Sequence, residues 1–231
     1  MWLLNSSIGK KLIMSISGVF LVLFMTFHAC MNFVAVINLG AYDAVCKFLG
    51  ANWYAVVGSA VLAGGFLIHI IFATWLTLTN QKARGNEAYA VNGMPKNVEW
   101  ASKNMYVLGF IILMGIVLHL TMFWAKMQLS ELANLEIATD GKVIDPAAGS
   151  EFLIAYFKNP IFCILYLLWF AAIWFHMTHG IWSAFQTLGW NNNTWICRWK
   201  TISYIVATIL MLMFAFTVVF FYVGNCIGLF A

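Results

Sequence analysis

The chain has 231 residues, 63% hydrophobic and only 9% charged, with a formal net charge of +4 at pH 7. A soluble domain carries about 25% charged residues, so the composition excludes a water-soluble globule and predicts a single-domain, all-α integral membrane protein over residues 1–231. No long run of Lys or Arg supports a nucleic-acid partner, and the cysteines (Cys30, Cys46, Cys163, Cys197 and Cys226) form no close pair, which argues against a zinc site, an iron–sulfur cluster or a disulfide framework.

About 20 apolar residues cross a bilayer, and five stretches reach that length, at about 12–37, 53–79, 105–124, 161–188 and 202–229. None contains Asp, Glu, Lys or Arg. The first follows Lys10 and Lys11 and could imitate a signal peptide. Its apolar run is far longer than a signal core of about 7–15 residues, so a retained membrane helix is expected. Asp43 falls in the loop after it. The connection between the second and third spans carries Lys82, Arg84, Lys96 and Lys103. The long connection at 125–160 is acidic, with Glu131, Glu136, Asp140, Asp145 and Glu151, and its QLSELANLEI stretch suggests a short surface helix. Arg198 and Lys200 lie between the fourth and fifth spans. The basic residues therefore gather on the side of the N-terminus, while Lys47, Lys126, Lys142 and Lys158 are accompanied by acids on the other. The positive-inside rule predicts a cytoplasmic N-terminus and a periplasmic C-terminus.

All five histidines, His28, His69, His119, His176 and His179, lie within spans, and each of the first four spans holds at least one. An ionisable residue inside a membrane is a functional candidate by default. At a rise of about 1.5 Å per residue, His28 and His119 fall in the outer half and His69 and His176 in the inner half, with the two levels roughly 10 Å apart. Two histidine pairs at two depths suggest two bis-histidine haems stacked in a bundle of the first four helices, since imidazole is a standard axial ligand. The spans offer no carboxylate for a zinc or di-iron site.

Glycines agree with a flat ligand. Gly65 and Gly115 lie four residues before His69 and His119, and Gly180 four after His176, each on the face of its histidine. Gly18 precedes His28 by ten residues, and Gly109 precedes His119 by ten. That offset is about 15 Å of helix, enough to reach the other haem's level. In WFHMTHGIW, His176 and His179 differ by about 60° around the helix, so they cannot ligate opposite faces of one ring. Gly180 favours His176 as the ligand and leaves His179 as a propionate or backbone partner.

The blocks SGVFLVLFMTFH and GFIILMGIVLH, with FHMTHGIWSAF in the fourth span, resemble the di-haem cytochrome b anchor of bacterial succinate:quinone oxidoreductases (succinate dehydrogenases and fumarate reductases with one large anchor subunit). The resemblance covers essentially the whole chain. It implies two b haems, the proximal one held by His69 and His176 and the distal one by His28 and His119. It implies a quinone substrate, with menaquinone expected, and a place in the bacterial cytoplasmic membrane. It also implies a flavoprotein partner bearing FAD and an iron–sulfur protein partner, the dicarboxylate chemistry belonging to those subunits. Quinone chemistry needs protons, and Asp43 is the nearest acid to the distal end. Some members carry a glutamate two residues before the fourth-span ligand, where this chain has Trp174. Ser15 and Ser17 match small hydroxyl residues that approach a haem propionate in relatives. The rival expectations are a di-haem anchor of hydrogenase or formate-dehydrogenase type, and a haem-free anchor or transporter. The latter would more often show broken helices.

Overall fold

A computed structural model describes residues 6–84, 99–139 and 141–230. Lys96, Asp140 and the side chain of Arg84 lie outside what is described. Caps set the helix limits. Helix α1, Ser7–Ile37, starts at Ser6, whose Oγ accepts from the Gly9 amide at 3.0 Å. Asn38, in extended conformation, ends α1 and starts α2, Leu39–Phe48, by accepting from the Ala41 amide at 2.8 Å. Helix α3, Trp53–Arg84, returns alongside α1. The Lys10 ammonium lies 3.9 Å from the Trp75 ring centroid, and Gly65 faces Phe20, so the two helices run antiparallel. The end of the bundle where α1 begins is called the near face and the opposite end the far face.

Helix α4, Trp100–His119, continues without a break into a π-helical segment, Leu120–Leu129, and then α5, Ser130–Ala133. Asn134, at a left-handed φ of 51°, ends the run. The short surface helix expected over QLSELANLEI is therefore absent as such. Its first half prolongs the membrane helix, and Ile137 at its end opens strand β1, Ile137–Thr139, which pairs antiparallel with β2, Lys142–Ile144. Helix α6, Gly149–Phe157, follows. Helix α7, Pro160–Thr187, has Pro160 in its first turn and Asn159 as cap, its Oδ1 taking the Ile161 amide at 2.9 Å. Helix α8, Trp195–Cys226, completes the chain, with Asn192 accepting from the Thr194 and Trp195 amides.

Helices α1, α3, α7, α8 and the continuous α4–α5 run are long and apolar enough to cross a membrane, and the chain is an all-α, multi-pass membrane protein. They extend beyond the apolar limits, α1 back to Ser7 and α8 back to Trp195. Hydrocarbon thickness limits the apolar run, whereas a helix continues into water until a cap stops it. Helices α7 and α8 pack most closely, joined by the Trp174 indole donating to Thr208 Oγ1 at 2.9 Å. Their most apolar windows are each 39% buried, against 6% for α3, which lies at the periphery beside α1. Helix α6 lies in the far-face core, with Phe152 fully buried.

Asp43 is a helical residue, not a loop residue. It lies on α2 and clasps the start of α6, accepting from the Ser150 amide and hydroxyl at 2.8 Å each. A carboxylate over orphan amides also meets the positive end of the helix dipole. Replacing it, Asp43→Ala, is expected to lower stability by roughly 1 kcal/mol, as for loss of a helix cap. A lower melting temperature in detergent, with histidine-dependent properties unchanged, is the outcome to measure.

Candidate functional site

Four of the five histidines meet in two pairs, each drawn from two helices. His28 of α1 and His119 of α4 have ring centroids 5.8 Å apart, with planes at 86°. His69 of α3 and His176 of α7 have centroids 6.3 Å apart, with planes at 66°. The first pair lies toward the far face and the second toward the near face. Ser17 and Gly18, which touch His69, precede His28 by ten or eleven residues, so the levels are separated by about 15 Å along α1. That exceeds the separation expected from the span midpoints, because the helices overrun those spans unequally.

The far pair is walled by aromatic rings. His28 stacks on Phe24 at 5.3 Å and meets Phe214 at 5.7 Å, while His119 meets Phe123, Trp169 and Tyr166 at 5.4, 5.8 and 6.3 Å. Asn32, one turn beyond His28, donates to the His28 carbonyl at 2.8 Å and lies 3.3 Å from ring Nδ1. Tyr42 in turn donates to Asn32 Oδ1 at 3.2 Å. Burial pushes the Tyr42 phenol well above its ordinary 10 and the neighbouring Cys46 thiol up to about 11, so both are neutral. The Tyr166 hydroxyl reaches His119 Nδ1 at 3.4 Å. In the near pair, the Ser17 hydroxyl lies 3.1 Å from His69 Nδ1, and the Met105 carbonyl lies near the His176 ring, whose buried Nδ1 makes no hydrogen bond of good geometry among the described residues.

The glycines separate into two kinds. A Cβ on Gly18 would sit 3.4 Å from His69 Cε1, and one on Gly109 would sit 3.9 Å from His176 Cε1. Both therefore face the near pair, although α1 and α4 carry the far pair. Gly65 and Gly115 instead make room for side chains of neighbouring helices, Phe20 and Trp169. The Trp169 indole lies across α4 there and donates to the Ile112 carbonyl at 3.1 Å. Gly180 faces the Met105 methyl at 4.0 Å.

His179 stands apart from both pairs. Its Nδ1 is 3.3 Å from Glu99 Oε2, and Lys200 Nζ is 3.0 Å from Glu99 Oε1. Lys200 also lies 4.6 Å from the Trp182 ring, which meets His179 edge-on at 4.8 Å. This tie joins α4, α7 and α8 at the near face. Glu99, Asn32 and Tyr166 are the site residues that the sequence did not single out. Tyr166 had a signal, since it precedes His176 by ten residues, the same offset as Gly18 to His28.

The far face carries a second polar hub. Gln128, in the π-helical segment, donates to the Gly50 carbonyl at 2.9 Å and accepts from Ser59 and Trp124 at 2.7 and 2.8 Å. π-Helical turns are rare and often mark functional sites. Here the segment begins one residue after His119 and turns Phe123 and Gln128 inward.

Partial burial pushes the Glu99 carboxyl up, but Lys200 and His179 outweigh it and hold it below its ordinary 4.5. A carboxyl lowered on folding stabilises the fold fully above its unfolded value and less as pH falls through the folded one. Glu99→Gln is expected to flatten stability between about pH 5 and 3, measured by thermal unfolding across that range. No family model, curated protein or solved structure matches the chain.

Proposed function

We propose that the chain is the membrane anchor and electron-transfer subunit of a succinate:quinone oxidoreductase, a succinate dehydrogenase or quinol:fumarate reductase, holding two b haems. The observation that carries this is the pairing of His28 with His119 and of His69 with His176. Two imidazoles bound to opposite sides of one metal ion at bond lengths of about 2 Å have ring centroids about 6 Å apart, close to the 5.8 and 6.3 Å observed. Among the described residues no third His, Cys, Asp or Glu joins either pair. A protein-only zinc site takes about four ligands, whereas a haem iron takes only two axial ones from the protein. The imidazoles of the near pair and the Gly18 and Gly109 backbones that face them would line a near-pair haem.

The haems would supply one-electron transfer, with no open coordination position for oxygen chemistry. The chain's own residues hold the imidazoles on four helices, exclude water with Phe24, Phe123, Trp169 and Phe214, and space the two pairs along the membrane normal. The near face, with Lys10, Lys11, Lys82, Lys103, Arg198 and Lys200, is the cytoplasmic side in this proposal. It would receive the iron–sulfur and flavoprotein partners, in the bacterial cytoplasmic membrane. A quinone, with menaquinone expected, is the lipid-soluble electron partner. With Trp174 bonded to Thr208, no proton path can use a side chain at that position.

The purified complex is expected to show reduced b-type absorption bands and two haems per chain. His28→Ala, His69→Ala, His119→Ala and His176→Ala should each lose one, and His179→Ala should keep both. Absence of the bands from the wild type would overturn the assignment. In a background without the native cysteines, Lys142→Cys should react with an impermeant thiol reagent on intact cells, and Lys82→Cys only after permeabilisation.

A further inference from the structure

Each histidine pair contains one imidazole within reach of a hydroxyl, and the hydroxyl always comes from a helix that contributes to the other pair. Ser17 is on α1, which carries His28, yet it meets His69. Tyr166 is on α7, which carries His176, yet it meets His119. We propose that Ser17 and Tyr166 are positioning residues, each setting the tautomer and basicity of an axial histidine of the haem that its own helix does not ligate. This rests on the haem assignment above.

The placement of each hydroxyl against Nδ1 of a ring carries the proposal. A hydroxyl has one proton to donate. The Ser17 hydroxyl lies 3.0 Å from the Met14 carbonyl, which can take its proton, and 3.1 Å from His69 Nδ1, toward which it can then accept. The Tyr166 hydroxyl lies 3.4 Å from His119 Nδ1, with Met122 Sδ at 4.0 Å as the outlet for its own proton. An imidazole that binds iron through Nε2 keeps its hydrogen on Nδ1, so in the haem-bound protein each hydroxyl is the acceptor. Both hydroxyl residues are themselves held in place, Ser17 7% exposed and Tyr166 3% exposed within a wall of Phe157, Trp169 and Phe170. Their partners lack this brace. The His176 ring has the Met105 carbonyl nearby and no hydroxyl, and the His28 ring lies beside the Asn32 amide. A hydrogen bond accepted from a ligating imidazole orients the ring and raises its basicity. A more basic axial ligand favours oxidised iron and so lowers that haem's reduction potential.

The test is a potentiometric titration of the b-type bands in the purified wild-type complex and in Ser17→Ala, Ser17→Thr and Tyr166→Phe. The two components are identified by which one is missing in His69→Ala and in His119→Ala. Ser17→Ala is expected to raise the midpoint potential of the component missing in His69→Ala and to leave the other in place. Tyr166→Phe is expected to do the reverse, and Ser17→Thr, which keeps the hydroxyl, to match the wild type. Loss of the His69-dependent haem in Ser17→Ala with retention in Ser17→Thr also supports the proposal. Loss in both serine variants overturns the role of Ser17. Two haems at wild-type potentials in Ser17→Ala and Tyr166→Phe overturn the proposal while leaving the functional assignment standing. A wild type with no b-type bands overturns that assignment, and this inference with it.

Discussion

An imidazole inside hydrocarbon must find its partners within the protein, because no water is there to serve it. Long helices satisfy their own backbones, so in this bundle the outstanding polar demand is the set of histidines. The structure meets it by bringing one histidine from each of α1, α3, α4 and α7 against one from another helix. The contact of α1 with α3 runs through Ser17, Gly18 and His69, and that of α4 with α7 through Gly109, His176, Tyr166 and His119. Helix packing and imidazole placement are one problem with one solution. Helix α8 contributes no histidine and closes the far pair with Phe214 instead.

Polar side chains with stronger demands are kept to the two ends. Glu99, His179 and Lys200 join three helices at the near face. Asp43 with Ser150, and Gln128 with Gly50, Ser59 and Trp124, do the same at the far face. Between those ends the histidines meet only hydroxyls, one amide and aromatic rings. A low-dielectric interior strengthens hydrogen bonds that are made and penalises those that are not. Buried Nδ1 of His176, with no hydrogen bond of good geometry among the described residues, is the least satisfied ring atom of the near pair.

Parts of this site were legible in the sequence for definable reasons. The ten-residue offsets of Gly18 and Gly109 from His28 and His119 convert into a fixed height on a helix, and both glycines do face the other pair. The four-residue offsets of Gly65 and Gly115 fix only a direction around a helix. What lies in that direction is another helix's side chain, Phe20 or Trp169. Tyr166 shares the ten-residue offset but is one aromatic among 20 Phe, 11 Trp and 8 Tyr, where spacing alone does not discriminate. Asp43 could be placed in its loop but not on its partner, because Ser150 is 107 residues away.

The amino-acid sequence by itself determined five membrane helices, their alternation and the sorting of four histidines into two levels. Those follow from runs of apolar residues and a constant rise per residue, which are local properties. Only the tertiary structure decided which hydroxyl braces which ring and that His179 belongs to Glu99. Those contacts join residues 47 to 80 positions apart. Their identity depends on the rotation of each helix about its axis, and that is set by packing against neighbours, not by any segment alone.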